Sequence, residues 1–136
     1  MNYLDANVFL YPLMYENKKS VLHKEFLKKV FGGEIKVCTS FLTWDEIVFI
    51  IKKFLGNEIA SREGKKFLEL PSIVFVKVDK EIMRKAQEMI EKYKLKPRDA
   101  IHATSAVVSK ADKIISDDSD FDVVKEIKRV PVEKFL

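Results

Sequence analysis

The sequence predicts an α/β fold, with a central, mostly parallel sheet of about five strands covered by helices in a three-layer arrangement. Short apolar, β-branched runs alternate with longer segments of helical spacing along the whole chain. The chain has 136 residues, 47% of them hydrophobic, which is enough to bury a substantial core. It contains no repeat, low-complexity tract or linker, so a single domain over residues 1–136 is expected.

Asn2 to Leu4 reads as the first strand, followed by a helix from about Ala6 that Pro12 is expected to kink or interrupt. Ser20 to Phe31 is amphipathic and stops at Gly32-Gly33. Ile35 to Cys38 reads as a second strand, and Thr43 to Leu55 as a helix with a core face of Ile47, Ile51, Phe54 and Leu55. Ile59 to Leu70 is a further helix closed by Pro71, and Ile73 to Val76 a short strand. Asp79 caps a helix carrying Ile82, Met83, Ala86, Met89, Ile90 and Tyr93 at helical spacing. Pro97 opens another through about Ser109, in the first-turn position that proline favours. Lys113 to Ile115 and Ile127 to Val132 supply the last strands.

Composition narrows the function classes. No apolar run approaches the roughly 20 residues that span a bilayer, so no membrane partner is expected. The first residues lack the basic region of a signal peptide, and a cytoplasmic protein is expected. Cys38 is the lone cysteine, which excludes an intrachain disulfide or a cysteine zinc cage, and its apolar surroundings suit a buried thiol. One Gln and four Asn, beside abundant Lys and Glu, hint at a thermophilic source. Lys and Arg outnumber Asp and Glu by 25 to 21, while "SDDSDFD" gathers four Asp in seven residues. A basic body with an acidic spot suits a polyanion approached through a metal, and equally an ordinary solvated surface.

Parallel sheets collect ligands at the carboxyl ends of their strands. Asp5 lies at such an end, and Asp117, Asp118 and Asp120 follow another. Asp45, Glu46, Arg98 and Asp99 fall in first helical turns. Any one of these acids suits a cap or the helix dipole, which is worth about 0.3–1 kcal/mol. Together they would repel one another, so a cation is expected among them, with Asp5 a ligand more than a cap. An all-oxygen set suits Mg²⁺ or Mn²⁺. Periodicity leaves Asp45 and Glu46 equivalent. Asn7 and Ser116 could orient bound water or carboxylates, and His102 reads as a buried, hydrogen-bonded histidine and not a ligand.

"LDANVFL", "TSFLTWDEIVF", "KPRDAIHATSA" and "IISDDSDFD" occur in this order over nearly the whole chain. Together they resemble the PIN domain, the fold of many metal-dependent ribonucleases and of VapC-type toxins. The resemblance implies a site of Asp5, Glu46, Asp99 and Asp118 holding Mg²⁺ or Mn²⁺, with Asp120 at its edge. It thereby selects Glu46 over Asp45. It also implies RNA hydrolysis by water, leaving a 5′-phosphate and a 3′-hydroxyl, a homodimer and, for a toxin, a small antitoxin. Arg98 and nearby lysines could hold backbone phosphates.

Two positions depart from the family pattern. Ala6 stands where Thr or Ser is common, and Asp117 where a basic or neutral polar residue is common, adding negative charge beside the site. Tyr11, Met14 and Phe31 suit core packing, or else dimer or antitoxin contacts. Three other readings exist. An inactive PIN-like module would bind RNA or protein without turnover. A haloacid-dehalogenase-type phosphatase needs an acid where Asn7 stands, and a receiver domain fits "IVFVKVDKE" poorly.

Overall fold

A computed structural model describes residues 1–135. Five strands form one sheet: β1 (Asn2–Leu4), β2 (Val37–Ser40), β3 (Ile73–Val76), β4 (Ile114–Ile115) and β5 (Arg129–Val130). Their order is β3-β2-β1-β4-β5, and every pairing is parallel. The helices are α1 (Ala6–Met14), α2 (Lys18–Phe31), α3 (Leu42–Leu55), α4 (Asn57–Leu68), α5 (Lys80–Tyr93) and α6 (Pro97–Val108). Short 3-10 helices follow β4 and β5, at Ser119–Val123 and Val132–Phe135.

Alternate strand residues enter different cores, as the period of two requires. Leu4, Val37 and Ile115 pack with α1 to α4 on one face. Tyr3, Cys38 and Ile114 pack with α5 and α6 on the other. The three layers place the central strand β1, and hence Asp5, between two covered faces.

Local chemistry explains the differences from the expected boundaries. β2 begins at Val37 and runs to Ser40 because the Glu34 and Ile35 amides donate to Lys29 O, so Ile35 belongs to the turn that closes α2 instead of starting the strand. Pro12 lies inside α1 without interrupting it, since the helix continues to Met14. β5 is confined to Arg129–Val130 because Pro131 has no N–H to extend the ladder. Gly56, at φ 92°, is the one residue between α3 and α4, a conformation that L side chains rarely adopt. Gly64 lets the two helices touch, since a Cβ there would lie 2.7 Å from Val48 Cγ2. The expected core face of α3 is only half right: Ile47 and Ile51 are buried, whereas Phe54 and Leu55 are exposed. Met83 of α5 is exposed as well.

Candidate active site

The carboxyl ends of β1, β2 and β4 lie side by side, so the residues that follow them converge. Asp5 follows β1 and is buried. Its Oδ1 accepts from the Ala6 amide (2.7 Å), which makes it the N-cap of α1. The expectation that Asp5 caps little is therefore corrected: it caps the helix with one oxygen. Its Oδ2 accepts from the Ser116 hydroxyl at 2.7 Å. Ser116, just after β4, also accepts from the Asp118 amide at 3.0 Å, so one hydroxyl joins the loop after β4 to Asp5. Asp118 in turn caps the following 3-10 helix by accepting from the Asp120 amide at 2.9 Å.

Arg129 of β5 braces this loop from below. Its guanidinium donates to both Asp122 oxygens (2.7 and 3.1 Å) and to Ser116 O (3.1 Å). Such a planar two-point contact fixes direction as well as distance. Asp117 is turned away from the acids, onto Lys19 Nζ (3.1 Å) and His23 Nε2 (3.2 Å) of α2. Its charge is thus compensated locally, and the departure from the family pattern does not leave a free carboxylate beside the site.

The acids form two groups. Asp99, at the start of α6, meets Asp118 and Asp120, with carboxylate oxygens within 4.8 Å of one another. Asp120, expected at the edge, therefore joins Asp99 and Asp118 in one group of three close carboxylates. Burial, then the charges of Asp118 and Asp5, push Asp99 up to about 6. Burial likewise raises Asp5, against the lowering effects of His102 and the Ser116 hydrogen bond.

Glu46 of α3 belongs to the other group. Its Oε1 contacts His102 Nε2, and Asp5 Oδ1 lies 3.8 Å from the same nitrogen. His102 Nδ1 is 2.6 Å from Tyr3 Oη, and Tyr3 Oη accepts from the Ser40 amide at 3.0 Å. Tyr3, Ser40 and His102 are fully buried. Burial alone would lower the His102 pKa, but the Glu46 hydrogen bond and the Asp5 charge outweigh it and raise it. Asp45 lies apart, 3.9 Å from Arg98, and both are exposed. Asn7, in the first turn of α1, is exposed.

Sequence reasoning places His102 in a buried hydrogen-bonded role but misses its partners. Tyr3 carries the overlooked signal: a tyrosine on a central, two-sided strand must find a partner for its hydroxyl.

The donor set is chemically suited to a hard divalent cation. Three clustered carboxylates, with Asp99 pushed up to about 6 first by burial and then by the charges of its neighbours, supply oxygen ligands whose mutual repulsion a cation would relieve.

The PIN domain family model matches residues 3–127. The chain belongs to the PIN domain family. Comparison with curated protein sequences finds no match. Among solved structures, a toxin–antitoxin complex from Klebsiella pneumoniae is similar at 20% identity and TM-score 0.66, over 93% of this chain and 95% of that one. VapBC2 from Rickettsia felis, bound to a DNA fragment from their promoter, matches at 16% identity and TM-score 0.71, over 96% and 98%. Mycobacterium tuberculosis VapC20, described as a sarcin-ricin loop cleaving toxin, matches at 12% identity and TM-score 0.75, over 92% and 95%. At these identities the likeness to the solved PIN structures is one of fold.

Proposed function

We propose that this PIN domain is a Mg²⁺- or Mn²⁺-dependent endoribonuclease acting in the cytoplasm as the toxin of a toxin–antitoxin pair. The observation that carries this reading is the convergence of Asp99, Asp118 and Asp120 beside buried Asp5 at the carboxyl edge of the sheet. The residues that would hold the ion are Asp5, Asp99, Asp118 and Glu46, with Asp120 completing the cluster. A bound ion would lower the pKa of a water and offset charge on the phosphoryl oxygens.

The chain's own groups bind and orient the substrate. Arg98 and Lys96 are exposed beside the acids, where each can trade a 3.9 Å carboxylate contact for an RNA phosphate. A cavity of about 350 Å³ lined by Tyr93, Lys94, Lys96, Asp99, Ser119 and Asp120 leaves room for a strand beside the carboxylates. Ser116 holds Asp5 and the Asp118 loop together, so the acids keep their spacing as RNA arrives. In-line attack by water would leave a 5′-phosphate and a 3′-hydroxyl. Asn7 lies near enough in sequence to Asp5 to help orient that water.

Partners follow from unpaired apolar surface. Trp44, Phe49 and Phe54 leave α3 apolar side chains exposed, which supports a homodimer. A separate groove of about 470 Å³ is lined by Phe9, Leu13, Leu27, Phe31 and Phe67, with Lys28 at its margin. It suits an apolar antitoxin segment bearing acidic residues. The likeness in fold to a toxin–antitoxin complex supports this assignment.

The test is cleavage of mixed single-stranded and structured RNA with Mn²⁺, Mg²⁺ or EDTA, by wild type and Asp5→Asn in parallel. Metal-dependent cutting that the substitution abolishes is the expected result. Intact RNA that the wild type still binds would favour a binding module, and equal cutting by both proteins would indicate a contaminant.

A further inference from the structure

His102 is fully buried, lies among the acids and has no place in the reaction described above. Its hydrogen bonds fix the role of Nε2. The Ser40 amide can only donate, and it occupies one lone pair of Tyr3 Oη. Tyr3 Oη meets Nδ1, and Nε2 meets the Glu46 carboxylate. An ionised carboxylate only accepts, so Nε2 carries a hydrogen in either protonation state of the ring and points it at Glu46. The four groups come from β2, β1, α6 and α3, and three of them are without solvent exposure. The ring therefore cannot turn without breaking buried bonds at both nitrogens.

We propose that the Ser40–Tyr3–His102 chain is a positioning device for Glu46: it occupies Oε1, leaves only Oε2 to a divalent ion, and thereby sets the affinity of the site. Rotamer freedom explains the need. Glu46 reaches from a helix through a long, flexible side chain and is only partly buried, whereas Asp5 is short and fixed by two hydrogen bonds. A long carboxylate without an anchor loses more conformational entropy on binding a cation than one already held. His102 is thus a positioning residue that acts through Glu46.

This inference rests on the metal-site reading above, and the test separates the two. Mn²⁺ dissociation constants are measured by the electron paramagnetic resonance signal of free Mn²⁺, with folding checked by urea denaturation in EDTA. The variants are His102→Leu, His102→Gln, Tyr3→Phe, Glu46→Gln and Glu46→Gln/His102→Leu. His102→Leu is expected to weaken Mn²⁺ binding by about 10–100-fold, the usual cost of losing such an outer partner. His102→Gln, which can return an N–H toward Glu46, is expected to recover most of it, and Tyr3→Phe to fall between. Adding His102→Leu to Glu46→Gln is expected to change affinity little further, because both act through one carboxylate. If His102→Leu does not fold, the Tyr3→Phe value carries the test, with His102→Gln as the rescued reference. Unchanged affinity in folded His102→Leu or in Tyr3→Phe, or a full additive loss in the double variant, would overturn the proposal. Absence of Mn²⁺ binding by the wild type would overturn the metal-site reading instead.

Discussion

The two halves of the site solve the same electrostatic problem differently. Around Asp5 and Glu46, three of the four carboxylate oxygens are met by a buried donor: the Ala6 amide, the Ser116 hydroxyl and the His102 ring. Around Asp99, Asp118 and Asp120, carboxylates face carboxylates, and Lys96 reaches only Asp120, at 3.9 Å. The first half is organised by the fold itself. The second is left with repulsion that a cation would relieve, and an anionic substrate alone would worsen it. Substitutions should therefore shift metal-free stability in opposite directions in the two halves, while lowering activity in both.

The largest expected effect is on catalysis. Asp118→Asn should reduce Mn²⁺-dependent RNA cleavage by more than the roughly 10–100-fold that loss of an outer-sphere partner costs. A gel assay showing less than tenfold loss would remove Asp118 from the ion-binding set.

On stability, Tyr3→Phe should lower the metal-free protein by about 1–3 kcal/mol, because the buried Ser40 amide and His102 Nδ1 lose their shared partner. Urea denaturation in EDTA measures this. A neutral result would mean that the two groups find other partners.

Asp99→Asn should do the reverse and raise metal-free stability, since it removes a charge that Asp118 and Asp5 oppose. The pH dependence has the same origin. Asp99 holds its proton up to about 6 in the fold, against an ordinary value of 3.8, so the folded state binds more protons between them. The associated stability is present at low pH and is lost as pH rises through about 6. Buried Asp5 shifts in the same direction. Thermal melts in EDTA should show this slope in wild type and a shallower one in Asp99→Asn. Equal slopes would place the proton elsewhere.

The smallest effect is expected at Asp117. Its ion pair with exposed Lys19 is worth little, and the Asn amide can still hydrogen-bond with buried His23, so Asp117→Asn should cost less than about 1 kcal/mol. RNA cleavage should change little, because the carboxylate is already compensated. A large gain in cleavage would mean that Asp117 does repel phosphate.

How far the sequence carries these halves follows the range of the interactions. The alternation of strands and helices, the acids at strand ends and Pro97 at a helix start are local signals, and all are legible in the sequence. Boundaries set by backbone bonds between distant segments are less so. Ile35 looks like a strand residue, yet its amide closes α2. Phe54 has helical core spacing but stands in solvent, where a second copy could cover it. The open acidic half is visible because like charges crowd in "SDDSDFD" and reappear at Asp99. The organised half is mostly hidden, because Tyr3 and His102 are 99 positions apart and meet only through the topology. Their composition looks apolar and structural until the hydroxyl and ring nitrogens must be satisfied.

The most direct measurement is the thermal shift of metal-free protein on adding Mn²⁺ above the Asp99 pKa, against sodium chloride of equal ionic strength. Wild type should gain a concentration-dependent rise in Tm of the form that specific binding to the folded state gives. Asp99→Asn should start higher in EDTA and gain much less. No Mn²⁺-specific rise in wild type, or an equal rise in Asp99→Asn, would contradict a cation site built on the repelling half.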